Sequence, residues 1–413
     1  MIKLKVKPED FVVEEIANIQ TEENGDYCVF LLEKRGWNTL DVLKRISKKL
    51  NILYSNLSYG SRKDKYALTS QYITIALQGD KQISPKYPLS SFKKRYSEKI
   101  GEENYSLTFV GLTDRPMGPD LIEGNKFCIT IRNLTENDLK SALHEIDIIK
   151  KEGYPNYFDD QRFGSFDARQ GFIAEKILRK HYNGALKLYF SRIHREDSKQ
   201  EKDHKKFVYE NWGNWHKCLE SASSRFEKES FEFLKKNQDE FVPVLQKISR
   251  EEMVIFFSAY QSYLWNEVLR KIIQSLYNNT SKIYKGIAEN NYIFYTHLDD
   301  AKKAYLNNLS IPLPASNIKM PDAFTENLYS EVLQENELKS PMFNIRKIRQ
   351  AFFKGVERKT VVIPESLSIE HSDDEIYIGK KKLILKFILP RGNFGTMFIK
   401  RLFSSYCINP HKD

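Results

Sequence analysis

A short basic segment around Asp64 holds the residues of this sequence that are best suited to chemistry. It reads Tyr-Gly-Ser-Arg-Lys-Asp-Lys-Tyr-Ala-Leu-Thr-Ser-Gln over 59–71. Asp64 stands between Lys63 and Lys65, and nearby positive charge favours the ionised form of a carboxyl group, so Asp64 is expected to be an anion at pH 7. An anionic carboxylate can act as a nucleophile. Taken alone, however, a Lys-Asp-Lys sequence is more often a solvated cluster of charges in a turn.

The residues on either side of Asp64 predict a loop that leads into a strand. Gly60 and Ser61 are typical of a turn. Apolar residues then alternate at Ile73, Ile75 and Leu77, which is the period of a half-buried strand. The carboxylate is therefore expected in a loop just before a strand of the core.

The segment resembles the active-site motif of the TruD family of tRNA pseudouridine synthases, which reads Gly-x-Lys-Asp-x-x-Ala-x-Thr-x-Gln. The matching positions are Lys63, Asp64, Ala67, Thr69 and Gln71. The resemblance implies that Asp64 is the catalytic aspartate. One position departs from the pattern, because Ser61 stands where the family has glycine and Gly60 is displaced by one. A serine would be strained there if the site requires a positive φ.

Two further segments match motifs of the same family. Lys-x-x-Pro-Glu-Asp-Phe-x-Val over 5–13 is similar to its N-terminal motif, and Gly-Asn-x-Phe over 124–127 is similar to a motif of its active site. The resemblance implies that Lys5 and Phe11 are neighbours of the active site. It also implies that Asn125 contacts the site and that Phe127 stacks on the target base.

These residue types leave more than one role open. Lys5 could contact a phosphate or hold the aspartate, and Phe11 could pack beneath a base. Asn125 could orient the Asp64 carboxylate or read the uracil edge, because an amide both donates and accepts hydrogen bonds. Without the resemblance, the simplest interpretations are an exposed strand lysine, a turn asparagine and phenylalanines of the core.

A fourth segment, over 156–164, gives the most specific match. It is similar to the family motif Asn-Tyr-Phe-Gly-x-Gln-Arg-Phe-Gly, with Asp159 in place of the first glycine. We expect Gln161 and Arg162 to structure the floor of the active site or to hold the RNA backbone.

The remaining matches lie in the second half of the chain. Leu-Pro-x-Gly-x-Phe-Gly-Thr over 389–396 is similar to the terminal motif of the family, with Gly395 in place of alanine, and this implies that Phe394 lines the uridine pocket. A helix around 253–269 is apolar nearly all round and should be buried. Its Gln261 and Asn266 must therefore find hydrogen-bond partners.

The resemblance implies an α+β fold in two domains. A pseudouridine synthase catalytic domain with a mixed, largely antiparallel sheet and flanking helices is expected over 1–164 and 351–413. An α/β insertion domain, named after the family, is expected over 165–350, and the family forms a V-shaped molecule with RNA in the cleft. The charged run over 195–206 mixes both signs and is expected to be a solvated, mobile insertion.

Composition favours a nucleic-acid partner and gives no sign of a cofactor. Basic residues number 65 against 55 acidic ones, a net charge of +10, which suits a polyanion such as tRNA. Candidate backbone contacts are Lys3, Lys93, Lys94 and Arg95. The four cysteines form no Cys-x-x-Cys pair, and there is no Walker loop, dinucleotide fingerprint or zinc spacing, so neither a cofactor nor a metal is expected.

The sequence also gives no sign of a membrane or of a fixed protein partner. No segment approaches the roughly 20 apolar residues that cross a bilayer. A cytoplasmic protein without an obligate protein partner is expected, or a nuclear one if the source is eukaryotic.

Three functions are compatible with these residues. The first, implied by the resemblance, is isomerisation of uridine to pseudouridine in tRNA, with uridine 13 as the first substrate to test. The second is a catalytically idle RNA-binding protein or RNA chaperone on the same fold. The third is a hydrolase that uses Asp64 with Asn125 and releases free uracil. The ordered set of matches from residue 5 to residue 396 favours the first.

Overall fold

The chain forms two compact units in its computed structural model, which describes residues 2–77, 100–102, 104–194, 196–276, 282–288, 291–348 and 352–404. Unit 1 comprises Met1–Gly153 and Val362–Asp413, and unit 2 comprises Tyr154–Val361. The division at 164/165 and 350/351 that the sequence suggested stays a prediction. Three of the candidate backbone contacts, Lys93, Lys94 and Arg95, lie outside the described residues.

Strands are concentrated in unit 1 and helices in unit 2. The strands are β1 Lys3–Leu4, β2 Phe11–Ala17, β3 Tyr27–Arg35, β4 Leu57–Tyr59, β5 Leu68–Ala76, β6 Ile100–Glu102, β7 Tyr105–Thr113, β8 Ile122–Leu134, β9 Tyr154–Pro155, β10 Lys282–Lys285, β11 Asn291–Phe294, β12 Ser310–Pro312, β13 Glu357–Lys359, β14 Val361–Val362, β15 Glu365–Asp373 and β16 Lys381–Pro390. The α-helices are α1 Thr39–Leu50, α2 Glu136–Glu152, α3 Ile173–Leu178, α4 Tyr182–Ser191, α5 Lys199–Glu210, α6 Trp215–Glu220, α7 Arg225–Lys236, α8 Phe241–Leu245, α9 Arg250–Leu276, α10 Asp300–Asn308, α11 Ala323–Glu335 and α12 Gly395–Leu402. Single 3-10 turns cover Pro8–Asp10, Tyr54–Asn56, Pro119–Leu121, Asp160–Phe163 and Ser340–Phe343.

Unit 1 is built on one mixed sheet with the strand order β15-β16-β8-β2-β5-β3-β7-β6, to which β1 adds beside β8 and β4 beside β5. Strands β2 and β5 run parallel. The other pairings described in this sheet are antiparallel. This confirms the α+β fold with a mixed, largely antiparallel sheet.

The parallel pair at the centre of the sheet brings two distant segments together. Val12 of β2 lies opposite Leu68 of β5, so both strands begin at the same edge of the sheet. The segment before β2 contains Lys5, and the loop before β5 contains Asp64. Their meeting therefore follows from strand pairing, which sequence spacing alone does not reveal.

Helix α1 covers one face of the sheet. Its buried residues Val42, Leu43 and Ile46 recur at helical spacing and join a core cluster with Phe30 and Ile73 of the sheet. The helix ends at Asn51, which adopts the left-handed conformation with a φ of 53°. Its N-terminal end lies against the loop that carries Asp64, as the contacts below show.

Unit 2 is organised around the long helix α9. Its side chains are buried along most of its length, as its apolar composition predicts. The Gln261 amide donates to the carbonyls of Pro314 (2.8 Å) and Lys354 (3.0 Å). The Asn266 amide both accepts from the backbone N–H of Phe158 (2.8 Å) and donates to its carbonyl (2.9 Å). The two buried amides thus find backbone partners.

The charged run over 195–206 forms helix α5 from Lys199 onward, and its described side chains are exposed or half-buried, as expected of a solvated segment. Its mobility stays a prediction. Ser198 and Glu201 form a reciprocal capping box at the beginning of α5, with bonds of 2.7 and 3.2 Å. An ion pair between Lys205 of α5 and Asp197, which precedes the helix, also holds this end (2.6 Å). Within the described residues, no helix is both long and apolar enough to cross a membrane.

Candidate active site

The loop between β4 and β5 is fixed by two polar side chains of the surrounding elements. The Gln71 amide donates to the carbonyl of Ser61 (2.9 Å), and the Thr39 hydroxyl donates to the side-chain oxygen of Gln71 (3.0 Å). The same Thr39 oxygen accepts the backbone N–H of Lys63 (3.1 Å). Because Thr39 begins helix α1, the helix, the strand and the loop are bonded to one another.

Asp64 is held at both its side chain and its backbone. Its carboxylate forms an ion pair with the Lys5 ammonium and accepts the backbone N–H of Tyr66 (2.8 Å). Its carbonyl accepts a hydrogen bond from the Lys34 ammonium (2.7 Å). The side chains of Asp64 and Lys5 are each 11% exposed, so the carboxylate is oriented but remains reachable from solvent.

Lys5 contacts the aspartate, which is one of the two contacts considered for it. It has a positive φ of 55°, an uncommon conformation for a residue with a side chain, which marks a locally constrained backbone. Its ammonium lies 4.4 Å from the centroid of the Phe11 ring, so the ring and the Asp64 carboxylate together fix this cation.

A second ion pair lies behind the loop. The Lys63 ammonium bonds to the Glu15 carboxylate (2.8 Å), and the two side chains are 6% and 0% exposed. It also donates to the side-chain oxygen of Asn125. Glu15 in addition accepts the Ser61 hydroxyl (3.1 Å) and the backbone N–H of Tyr72 (3.1 Å). Burial lowers the pKa of Lys63, and the Glu15 charge opposes that shift.

The two residues that replace family glycines are not strained. Ser61 is absent from the residues with positive φ, and Asp159 has an extended φ of −79°. The neighbouring Gly60 meets a steric need instead, because a Cβ there would lie 2.5 Å from Ile122 Cδ1 and 2.9 Å from the carbonyl oxygen of Gly118. The Ser61 hydroxyl adds a contact to Glu15 that glycine could not make.

Phe127 lies in an aromatic cluster of unit 1 and is only 6% exposed. Its ring stacks on Phe387 with centroids 5.2 Å apart and meets the edge of Phe11 at 6.4 Å. A Cβ added at Gly395 would lie 2.9 Å from two carbons of the Phe127 ring, so the glycine makes room for this ring. Phe394, the residue before it, is half-buried at the beginning of α12.

Gln161 and Arg162 belong to unit 2 and are exposed in the 3-10 turn Asp160–Phe163. The Arg162 guanidinium lies 5.8 Å from the Phe158 ring, and its Nε donates to the Ser262 hydroxyl (3.3 Å). The guanidinium of Arg358 lies 4.1 Å from the same ring. Phe158, whose backbone is bonded to the Asn266 amide, thus carries two cations on a fixed segment.

Sequence reasoning missed Glu15 and Lys34, although the strand period contained the signal. Glu15 has the same parity as the buried Phe11 and Val13 of β2, and Lys34 has the same parity as Leu32 of β3. Both charged side chains therefore point to the buried side of their strands. A charge at an inward position requires a partner, and for both residues that partner belongs to the loop of Asp64.

Burial lowers the pKa of Lys34 to about 8, the Asp64 charge opposes this shift and the Lys63 charge adds to it. The folded-state pKa lies below the unfolded value of 10.5, so the unfolded chain binds more protons between these two pH values. The stability that depends on Lys34 should then rise with pH across this window.

Between pH 7 and pH 10.5, the free energy of unfolding of the wild type should increase relative to that of Lys34→Met by roughly 3 kcal/mol, which is the cost of burying the charge. Urea denaturation at pH 7, 8, 9 and 10 measures the difference. Lys140→Met, on the exposed face of α2, serves as the control and should give a constant difference. Parallel curves for the wild type and Lys34→Met would contradict the assignment.

The chain is similar to known proteins of one family along nearly its whole length. A family model described as tRNA pseudouridine synthase D (TruD) matches residues 1–402. A protein of Leptospira interrogans named tRNA pseudouridine synthase D is 31% identical, covering 97% of this chain and 95% of that protein. One of Aquifex aeolicus with the same name is 29% identical, covering 98% of each. The fold matches the crystal structure of a Methanosarcina mazei protein titled as a TruD, with a TM-score of 0.70, 24% identity and coverage of 99% and 94%.

Proposed function

The chain belongs to the TruD family of tRNA pseudouridine synthases, and we propose that it isomerises uridine to pseudouridine in tRNA with Asp64 as the catalytic residue. The observation that carries the role of Asp64 is its geometry. A carboxylate paired with Lys5 stands on a loop whose path is fixed at Ser61, Lys63 and Asp64. A carboxylate held as an anion in this way can act as a nucleophile without a separate base to activate it.

The reaction is an internal rearrangement. The bond between N1 of the uracil and C1′ of the ribose breaks, the uracil turns, and a C–C bond forms between C5 and C1′. The hydrogen on C5 leaves as a proton, and N1 takes up a proton, so the product is an isomer of the substrate. Asp64 acts at this step as nucleophile or as acid-base group. No oxidant, reductant or second substrate enters the balance.

The surrounding residues are assigned by their contacts. Lys5 orients the Asp64 carboxylate, and Phe11 fixes Lys5. Lys63 bonds to Glu15 of β2 and to Asn125 of β8, and these bonds fix the loop to the sheet. They therefore position the reacting group without touching the base.

The target base must leave its stack, which costs a few kcal/mol and is offset by contacts with aromatic side chains. Phe394 is half-buried, whereas Phe127 is almost fully buried. We therefore propose that Phe394 contacts the uracil. The buried Phe127 would support the pocket from the core. Gln161 and Arg162 are proposed to contact the RNA backbone from unit 2, where exposed guanidinium groups suit phosphates.

Release of tritium from tRNA that carries 5-tritiated uridine tests the proposal, because only substitution at C5 frees this label. The wild type should release about one tritium per tRNA modified, and replacing uridine 13 with cytidine in the tRNA should remove that release. Binding without release would support the idle RNA-binding protein instead. Free uracil with an abasic site would indicate the hydrolase. A cytoplasmic location is part of the proposal, since tRNA is the substrate.

A further inference from the structure

Helix α1 carries a row of cations on the side that faces away from the core. Its exposed basic residues are Lys44, Arg45, Lys48 and Lys49. The helix has a single acidic residue, Asp41, in its first turn. Four basic residues against one acidic residue give these twelve residues a net charge of +3.

Three of these four cations are not neutralised within the described part of unit 1. Lys44, Lys48 and Lys49 form no ion pair with any described residue. Lys44 and Lys48 are four residues apart, and like charges at that spacing destabilise a helix by a few tenths of a kcal/mol. Lys48 and Lys49 also lie in the last turn, where cations favour the helix, so it is the three lysines without a described ion-pair partner on one exposed face that favour a role in binding an anion.

Helix α2 in the same unit shows that this surplus is not a general property of its exposed helices. It has three lysines, Lys140, Lys150 and Lys151, all exposed. It also has five acidic residues, so its net charge is −2 with His144 neutral. The two helices therefore differ in net charge by five units, although they carry similar numbers of exposed cations.

Helix α1 contacts the catalytic loop at its first residue, and one cation of its exposed face packs on an aromatic ring. The Arg45 guanidinium lies 4.4 Å from the centroid of the Trp37 ring, which fixes its position. Thr39, the first residue of α1, bonds to the backbone N–H of Lys63 (3.1 Å). Arg62, on the loop itself, is a further exposed cation.

We infer that the exposed cationic face of α1, formed by Lys44, Arg45, Lys48 and Lys49, binds the phosphate backbone of the tRNA substrate beside the catalytic loop. This inference rests on the proposed function for the identity of the polyanion. Lysines that contact phosphates release counterions from the RNA, so they contribute affinity that falls with salt and carries no sequence information. The face should therefore affect binding and KM and leave kcat unchanged.

The test is the salt dependence of tRNA binding by the variant Lys44→Gln/Lys48→Gln/Lys49→Gln, measured by gel shift with unmodified tRNA between 50 and 200 mM salt. Loss of three phosphate contacts should lower the slope of log K against log salt by about 2 to 3 and weaken binding about tenfold or more at 100 mM salt. The value of kcat at saturating tRNA should equal that of the wild type.

Two matched variants separate this surface from general charge effects. Lys140→Gln/Lys150→Gln/Lys151→Gln removes the same charge from α2 of the same unit and should keep the wild-type slope. Lys44→Arg/Lys48→Arg/Lys49→Arg keeps the charge on α1 and should also keep it. Equal slopes for the two glutamine triples would overturn the inference. Because the slope is measured without turnover, it decides the inference even if the wild type releases no tritium and the proposed function fails.

Discussion

Replacing Asp64 with asparagine should lower tritium release from 5-tritiated tRNA at least about 10⁴-fold, the scale on which removal of a reacting group lowers kcat. Asparagine keeps an oxygen that can accept the backbone N–H of Tyr66, and the Lys34 bond to the residue 64 carbonyl does not involve the side chain. The loop should therefore keep its path. What the variant loses is the negative charge that the proposed chemistry requires.

The loss should appear in kcat and leave tRNA binding within a few-fold of the wild type. A gel shift with the same tRNA measures binding, and single-turnover tritium release measures chemistry. Asp114→Asn, an exposed carboxylate of unit 1, is the matched control and should keep wild-type activity. Tritium release by Asp64→Asn at more than about a tenth of the wild-type rate would remove Asp64 from the chemistry.

Replacement of Lys5 should lower kcat less than replacement of Asp64 does. Lys5 contacts the carboxylate and the Phe11 ring, so its effect on catalysis passes through Asp64. The loss of this single orienting contact is smaller than the loss of the reacting group itself. This difference in the size of the loss follows from the geometry of the pair, in which Lys5 acts only through Asp64.

The sequence predicted individual helices, strands and turns well, because these elements depend on short-range patterns of residues. Alternation at Ile73 and Ile75 predicted β5, and the apolar composition over 253–269 predicted the buried helix α9. Gly60 and Ser61 predicted the loop that leads into β5. These predictions concern local structure that is set by neighbouring residues in the chain.

Long-range pairing could not be predicted in the same way. Whether Lys5 reaches a phosphate or Asp64 depends on the parallel pairing of β2 with β5, and nothing in either segment specifies that partner. In the charged run over 195–206, composition indicated solvation, and the Ser198 cap sets where its helix α5 begins.

Dependence on long-range contacts also explains why the role of Glu15 was not predicted from the sequence. The parity of β2 shows that the side chain points inward, but its partner is 48 residues away along the chain, at Lys63. A buried ion pair also contributes little net stability, because desolvation offsets the attraction. We therefore propose that this pair serves to position the loop of Asp64.

Glu15→Gln should destabilise the protein by about 3 to 5 kcal/mol, because it leaves the buried Lys63 ammonium without its counter-charge. Urea denaturation measures the loss. The exposed pair Glu14–Lys126 starts from the neighbouring residue of β2 and reaches β8, with side chains 50% and 54% exposed. It provides the matched control, and Glu14→Gln should change stability by less than about 1 kcal/mol.

The double variant Glu15→Gln/Lys63→Met decides between a stabilising role and a positioning role. Removing both charges should restore most of the stability that Glu15→Gln loses, since no uncompensated charge remains buried. Activity should stay low, because the bonds from Lys63 to Asn125 and from Ser61 to Glu15 are lost or weakened and the loop of Asp64 is no longer fixed from behind. Recovery of activity together with stability would show that the pair only stabilises the fold. Stability without activity would show that these two charges position the catalytic carboxylate.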